Sequence, residues 1–250
     1  MNPSDKTVLI TGGGSGIGLA LAKTFVKNNN TVIITGRNLA KLEKAKSENP
    51  DLQIVQNDVT DVEQVKALVE KTKNEFGGID VLVNNAGVFH TFDVKDETYP
   101  FEKQELEIDI DFTSPIRLVY YFLPQLKQSK EAAIVNVSSG LAFIPLTMAP
   151  VYSATKAGIH AWTQAIRLQL AEMKNINVIE LMPPVVDTDM VSDLKDFPKL
   201  APEKIVEAFW KGYIKNQEEI TPGQSGQLKL MRRLAPGFIF NQINKQPVPA

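Results

Sequence analysis

A run of glycines close behind a short apolar segment constrains the fold more than any other feature of this sequence. The segment Thr7–Thr11 is rich in β-branched residues, and residues 19–28 after the glycines carry apolar side chains at helical spacing. A strand, a glycine turn and a helix in this order form the context of a dinucleotide-binding turn. The glycines let backbone amides approach a pyrophosphate, and the helix N-terminus adds partial positive charge. The alternative is a glycine turn without a ligand, which the two flanking elements disfavour.

The rest of the chain alternates short apolar segments with longer amphipathic ones. We predict further strands at residues 31–35, 52–56, 79–83, 132–137 and 177–181, with helices between them. A strand about every 20 to 40 residues predicts an α/β fold, a Rossmann-type doubly wound parallel sheet with helices on both faces. No linker divides the 250 residues, so we predict a single domain.

Two stretches of the C-terminal part lack a clear hydrophobic period. Residues 185–201 mix charged side chains with Pro198, which predicts a mobile loop beside the substrate. The tail at residues 227–250 contains Arg232, Arg233 and an apolar group at 238–240, and we predict no element for it.

The segment from Asn136 to Lys156 carries the side chains that suggest chemistry. Ser139 follows a short apolar run, and open α/β sheets place their reactive groups at the carboxyl ends of such strands. Tyr152 and Lys156 are four residues apart in a predicted helix, so they share one face. An ammonium near a phenol favours the phenolate and lowers the phenol pKa toward neutrality. The pair alone would more often belong to a surface helix, and the other motifs of the chain favour the catalytic interpretation.

The residues after the second predicted strand bear on the coenzyme. A carboxylate at this position binds the adenosine ribose of NAD in such folds, but here the position is Gly36, with Arg37 beside it. A guanidinium is a suitable partner for a 2′-phosphate, so NADP(H) is favoured and NAD(H) is possible. The alternative is a solvated Arg37 at the start of the next helix.

Composition excludes several classes of function. The net charge is −2 with scattered lysines, so we expect no nucleic-acid partner. No apolar run approaches the roughly 20 residues that cross a bilayer, and the polar start of the chain predicts no signal peptide. The absence of cysteine excludes disulfides and thiolate metal sites, and fits a cytoplasmic chain. With only two histidines, we expect no metal centre.

Taken together, these motifs resemble the short-chain dehydrogenase/reductase family, and most of all its DltE-type branch. The matching segments span residues 6–188 and include Thr11-Gly12-x-x-x-Gly16-x-Gly18, Asn84-Asn85-Ala86-Gly87, and Ser139, Tyr152 and Lys156 at the family's catalytic spacing. The branch is suggested partly by Pro183-Pro184 after the sixth strand.

The resemblance implies hydride transfer between a nicotinamide coenzyme and a carbonyl or alcohol carbon. It implies that Tyr152 exchanges a proton with the substrate oxygen, that Ser139 hydrogen-bonds this oxygen, and that Lys156 lowers the tyrosine pKa and binds the nicotinamide ribose. Asp58 would contact adenine, and Thr188 would meet the nicotinamide carboxamide. The residues expected at the coenzyme are Gly12, Gly14, Ser15, Gly16, Ile17, Gly18, Arg37, Asp58, Val59, Asn85, Ala86, Gly87, Tyr152, Lys156, Pro183, Val186 and Thr188.

The chain departs from the family at two positions. Asp111 stands where most members have an asparagine that completes a catalytic tetrad, and Pro184 replaces a glycine. An ionised Asp111 near Lys156 would offset part of the lysine's effect and raise the pKa of Tyr152. A protonated Asp111 would resemble asparagine, and an Asp111 outside the proton relay would have no effect.

The sequence also suggests a substrate class and an assembly. We expect a small apolar substrate, in a pocket lined by Val88, Phe89, Leu141, Phe143, Met148 and the 185–201 loop. We expect a homodimer or homotetramer through the segments 116–126 and 157–170, which carry many apolar side chains, including Tyr120, Tyr121, Phe122 and Trp162. The competing function is a non-catalytic NADP-binding regulator or scaffold of the same fold, because Asp111 breaks the tetrad.

Overall fold

A seven-stranded parallel sheet forms the centre of the computed structural model, which describes residues 1–195 and 197–245. The strand order is β3-β2-β1-β4-β5-β6-β7, and every paired strand in the described part of the chain is parallel to its neighbour. The strands are β1 (Thr7–Thr11), β2 (Thr31–Gly36), β3 (Gln53–Gln56), β4 (Val81–Asn84), β5 (Ala132–Val137), β6 (Ile176–Leu181) and β7 (Glu219–Ile220). The predicted Rossmann-type fold is therefore confirmed.

Helices cover both faces of the sheet, because its central strands are apolar on both sides. One face packs against α1, α2 and α7, and the other against α3, α5 and α6. Phe25 of α1 illustrates the first layer, where three aromatic rings of α7 surround it. The helices are α1 (Gly16–Lys27), α2 (Leu39–Glu48), α3 (Val62–Phe76), α4 (Phe101–Ile108), α5 (Ser114–Gln128), α6 (Pro150–Gln169), α7 (Pro202–Tyr213), α8 (Gln224–Leu234) and α9 (Pro236–Ile243).

The order of the strands creates the crevice that holds the site. Successive strands run outward from β1 to β3 and then from β4 to β7, so the direction of winding reverses between β1 and β4. Open α/β sheets bind ligands at the carboxyl ends of the strands at such a reversal. The glycine turn after β1 and the Asn85–Gly87 segment after β4 meet there.

The long helix predicted before β5 is interrupted. A wide π-type turn at Asp109–Thr113 separates α4 from α5, and Pro115 lies at the start of α5. Proline is suited to a first helical turn, where its missing N–H has no intrahelical partner to lose. Single π-turns are frequent at functional sites, and this one contains Asp111.

The C-terminal tail, for which the sequence predicted no element, forms helices α8 and α9. Ser225 of α8 packs against Gly140, where an added Cβ would lie 2.8 Å from the serine Oγ. Asn244 accepts a hydrogen bond from the Thr147 amide and donates one to the Pro145 carbonyl. These contacts fix the two helices over the segment between β5 and α6. Residues 246–250 of the predicted tail lie outside the described residues.

The 185–201 segment contains some regular structure. Val186 and Leu200 form a parallel bridge, and a 3₁₀ turn spans Asp189–Val191. This bridge joins the two ends of the segment, and the mobility of the segment stays a prediction.

Candidate active site

Strand β5 and helix α6 bring Ser139, Tyr152 and Lys156 to the same edge of the sheet. Ser139 begins a 3₁₀ turn just past β5, and its Oγ accepts a hydrogen bond from the Leu141 amide at 3.1 Å. Tyr152 lies in the first turn of α6, where its ring meets Phe89 edge to face at 5.0 Å. Lys156 is 4% exposed, and its Nζ lies 5.2 Å from the centre of the Tyr152 ring.

The electrostatics of Tyr152 differ from the expectation. Enclosure of the phenol in a cavity raises its pKa above the usual value, the charge of Asp111 raises it further, and the Ser139 hydroxyl acts in the opposite direction. Lys156 was expected to lower this pKa, but its Nζ faces the Val137 carbonyl at 3.4 Å and Asp111 Oδ1 at 3.7 Å. In the protein alone, the ammonium is directed toward Asp111, and the Tyr152 pKa is raised.

Asp111 is buried in the π-turn, 1% exposed, and faces the lysine. Its Oδ1 accepts a hydrogen bond from the Val88 amide at 3.1 Å, and a Cβ on Gly87 would lie 2.7 Å from the same oxygen. Burial raises the pKa of Asp111 to about 6, opposed by Lys156. Asp111 lies against Lys156, as the first of the three sequence-based alternatives requires, and its ionisation at neutral pH stays a prediction.

The sequence analysis overlooked Glu107, which lies one helical turn before Asp111. It has no exposed surface, and its Oε1 accepts a hydrogen bond from the His90 amide at 3.0 Å. Burial raises the pKa of Glu107 to about 8, with a contribution from the charge of Asp111. The spacing of four residues to Asp111 is the sequence signal that could have identified it.

The glycine turn after β1 forms a cradle that fits a dinucleotide. Gly12 and Gly16 have positive φ angles of 65° and 54°, which glycine adopts without strain. A Cβ on Gly18 would lie 2.4 Å from the Gly12 carbonyl, and the Asn85 amide group donates to the Gly12 carbonyl at 3.2 Å. No side chain among the described residues caps the N-terminus of α1, so its amides are free for an anion.

A cleft of about 200 Å³ connects this cradle to Tyr152 and Lys156. It brings together residues expected at the coenzyme from four parts of the chain. Its lining includes Gly12, Ser15, Gly16, Ile17, Asn85, Ala86, Gly87, Pro183 and Thr188.

A second, smaller cavity of about 130 Å³ lies on the adenosine side of the turn. Exposed Arg37 lines it together with Gly36, Val59 and Asn57. Asp58 follows Asn57 in the chain, its Oδ1 accepts hydrogen bonds from the Thr60 amide and hydroxyl, and its expected contact with adenine stays a prediction.

Two glycines of the motif have packing roles in the structure. Gly14 lies against Leu42 of α2, and Gly18 allows the close approach of α1 to the turn. Neither lines the clefts described above.

A third cavity of about 360 Å³ opens from Ser139 and Tyr152 toward the C-terminal helices. Of the residues expected to line the substrate pocket, Leu141 and part of the 185–201 loop do so. The α8 and α9 residues were not expected. The apolar lining side chains include Leu141, Leu146, Val185, Val186, Met190, Val191, Phe197, Leu228, Met231, Ile239 and Ile243.

The other expected pocket residues lie elsewhere. Val88 borders the adenosine-side cavity, and Met148 is buried beneath the site. Phe143 stacks edge to face on His160, and Phe89 packs against Tyr152.

A buried polar cluster lies behind Ser139. Ser138 donates a hydrogen bond to Glu180 Oε1 at 2.5 Å, and His160 Nδ1 lies 2.8 Å from Glu180 Oε2. Glu219 completes a group with metal-ligating atoms, but Lys229 of α8 already pairs with its carboxylate. The Lys229–Glu219 pair therefore joins α8 to β7, and the Glu180–His160 contact joins β6 to α6.

Comparison with known proteins identifies the family. The family model for short chain dehydrogenases matches residues 6–199. The uncharacterized oxidoreductase DltE of Bacillus subtilis is 39% identical over 98% of this chain and 99% of its own length. An uncharacterized oxidoreductase of Staphylococcus aureus is 31% identical over 82% of this chain and 89% of its own. The expected resemblance, including its branch, is confirmed.

Solved structures share the same architecture. A short chain dehydrogenase of Burkholderia cenocepacia in complex with NADP aligns with a TM-score of 0.86 at 25% identity, over 99% of this chain and 100% of its own. A short chain dehydrogenase/reductase of Burkholderia phymatum in complex with NAD aligns with a TM-score of 0.84 at 19% identity, over 100% of this chain and 99% of its own. Within the described residues, no helix has the length and apolar character needed to cross a membrane.

Proposed function

Because this chain belongs to the short-chain dehydrogenase family, we propose that it transfers a hydride between NADP(H) and a small apolar carbonyl or alcohol. The observation that carries the proposal is the position of Tyr152 at the junction of two cavities, with Ser139 on the wall of the second. On one side lies the cleft of the glycine turn, and on the other the apolar cavity under α8 and α9. A reacting carbon placed at this junction would meet both the coenzyme and the proton donor.

Each catalytic side chain has a role that its position supports. When bound, the nicotinamide ring supplies or accepts the hydride. Ser139 hydrogen-bonds the substrate oxygen, and Tyr152 donates a proton to it during reduction or removes one during oxidation. A neutral phenol is the form needed for reduction, and the raised pKa of Tyr152 favours this form at neutral pH.

Lys156 and Asp111 act on the Tyr152 phenol through their charges. The ammonium of Lys156 stabilises a phenolate as it forms, and Asp111 holds the ammonium in place at 3.7 Å. Asp111 also fixes the Val88 amide, and with it the loop after β4 that borders the cleft.

The preference for NADP(H) over NAD(H) rests on Arg37. Its side chain is exposed at the adenosine-side cavity, beside Gly36, where no carboxylate would repel a 2′-phosphate. The Burkholderia structures contain NADP in one case and NAD in the other, so the fold accepts both.

An apolar, uncharged substrate is favoured by the lining of the larger cavity. None of its described lining residues is charged, and its polar side chains include Gln224 and Gln227 of α8. Burial of an unpaired charge in such a cavity would cost several kcal/mol.

A carbonyl panel tests the proposal directly. Purified protein is mixed with NADPH and each of a set of aliphatic and aromatic ketones and aldehydes, and coenzyme oxidation is followed by absorbance. We expect turnover with one or more apolar compounds and none with charged ones. Tight NADPH binding without turnover on any member would favour the regulator or scaffold function instead.

We also propose a homodimer or homotetramer formed through α5 and α6. Tyr120 and Leu168 are 73% and 79% exposed on these helices, which leaves apolar surface for a partner. Phe122 was expected to contribute, but it is fully buried in the core. Light scattering at micromolar concentration should show a dimer or larger species, and a monomer would contradict this proposal.

A further inference from the structure

Two buried carboxyl groups lie behind Lys156, and only one of them has been given a role so far. Glu107 accepts a hydrogen bond from the His90 amide, and Asp111 accepts one from the Val88 amide two residues earlier. The other oxygen of each, Glu107 Oε2 and Asp111 Oδ2, has no hydrogen-bond partner among the described residues. A buried ionised carboxylate with an unsatisfied oxygen is costly, so one of the two groups is expected to carry a proton.

The charges around the pair decide which group is protonated. Lys156 and Tyr152 face it from α6, and His90 and Tyr99 face it from the segment before α4. Lys103 of α4 acts on His90. Lys156 is the nearest cation and lies beside Asp111, so Asp111 is the ionised member and Glu107 holds the proton at neutral pH. The pKa of Asp111, about 6, and that of Glu107, about 8, agree with this assignment.

His90 connects Glu107 to the surface. Its Nδ1 lies 3.8 Å from Glu107 Oε1, and its side chain is 29% exposed. Burial lowers the pKa of His90, so the neutral ring can accept a proton on one nitrogen and release one from the other. Lys156 thus lies against Asp111 on the side of the phenol, His90 lies near Glu107 on the side of solvent, and Glu107 precedes Asp111 by four residues.

We propose that Glu107 is a proton-holding residue that links Lys156 and Asp111 to solvent through His90, and that it reprotonates the site after each turnover. This rests on the proposed function. Reduction of a carbonyl takes one hydride from the coenzyme and one proton from Tyr152, which leaves a phenolate. The phenolate regains its proton from Lys156, Lys156 from the Asp111–Glu107 pair, and the pair from solvent through His90. Every group ends the cycle as it began, and the net consumption is one proton from water.

Glu107→Gln separates this role from a structural one. Glutamine retains the size of the side chain and an oxygen that accepts from the His90 amide, but it has no acidic proton. We expect the first turnover to keep its wild-type rate and the steady-state kcat to fall about tenfold or more. The alkaline limb of the kcat profile near pH 8, which follows the pKa of Glu107, should disappear.

Two further variants accompany Glu107→Gln: one is a control, and the other tests the same proton route at a second position. Glu105→Gln makes the same chemical change at an exposed position of the same helix, and should behave as wild type. His90→Phe interrupts the route at its outer end, and should lower steady-state kcat without changing the first turnover. Unchanged steady-state rates and pH profiles in both Glu107→Gln and His90→Phe would overturn the proposal.

Infrared spectroscopy tests the protonation of Glu107 without any substrate. The carbonyl band of a protonated carboxyl group should be present in wild type and in Glu105→Gln at pH 7, lost in Glu107→Gln, and lost from wild type as the pH rises through about 8. The absence of this band from wild type would overturn the proposal, whatever the carbonyl panel shows. A band together with no turnover would count against the proposed function alone.

Discussion

The two sides of the candidate active site are built in opposite ways. On the coenzyme side, glycines, amides and buried charges are held by short, specific hydrogen bonds, such as those from Asn85 to the turn and from Val88 to Asp111. On the substrate side, the wall is apolar and comes from the 185–201 segment and from α8 and α9. In the proposed function the first side fixes the reaction and the second selects the compound, so changes on each side should affect different kinetic constants.

The largest expected effect comes from Tyr152→Phe, at the junction of the two sides. The ring shape is retained and the proton donor is lost, so we expect turnover to fall by about a thousandfold or more with coenzyme affinity unchanged. Steady-state assays and calorimetry with NADPH measure the two quantities. Near-normal turnover would show that Tyr152 is not the proton donor, and it would contradict a reaction at the junction of the two cavities.

Arg37→Ala tests how the coenzyme side of the site distinguishes NADPH from NADH. A charge-assisted guanidinium–phosphate contact contributes about 1.5–3 kcal/mol, which corresponds to about tenfold to a hundredfold in affinity. Calorimetry should show this loss for NADPH and little change for NADH. Lys44→Ala, an exposed change on α2, is the matched control. Equal affinity of the wild type for both coenzymes would contradict the role of Arg37.

Met231→Trp tests the substrate side. The larger ring should fill part of the cavity under α8 and lower kcat/KM for bulky substrates by about tenfold, with no change in NADPH affinity. Leu230→Trp places the same ring on the exposed face of the same helix, and should leave kcat/KM unchanged. A loss of coenzyme affinity in Met231→Trp would show that the two sides are not separate.

Asp111→Asn should have the smallest effect on kcat/KM, because this constant does not include the reprotonation step between turnovers. The Asp111 charge raises the pKa of Tyr152, so its removal should lower the apparent pKa of kcat/KM for alcohol oxidation. Because Asp111 has a pKa of about 6, the two proteins should differ above that pH and converge below it. The pH profiles of both proteins with one alcohol and one coenzyme measure this. A raised pKa in Asp111→Asn would reverse the proposed sign.

The features that the sequence predicted correctly are those set by local structure. Strand periodicity predicted the sheet, and the spacing of Ser139, Tyr152 and Lys156 predicted residues that the structure brings together. These signals are local, because a strand end or a helical turn fixes them without knowledge of the rest of the chain.

The features that were missed depend on tertiary contacts. Glu107 resembles its exposed neighbours Glu102 and Glu105 in the sequence, and it is buried only because the loop at His90 docks on it. Helix α8 is predominantly polar, with basic residues beside Leu228 and Met231, so its low mean hydropathy concealed the apolar face that lines the cavity. The orientation of the Lys156 ammonium toward Asp111 likewise depends on the π-turn, which no residue pattern in the sequence predicted.

Deuterium transfer tests the central claim most directly. The protein is incubated with NADPH deuterated at C4 of the nicotinamide and with the best carbonyl compound of the panel, and the alcohol is examined by mass spectrometry and NMR. The account predicts one deuterium at the new carbinol carbon with wild type and no such product with Tyr152→Phe. An alcohol without deuterium from coenzyme labelled on either face, or equal labelling by Tyr152→Phe, would contradict it.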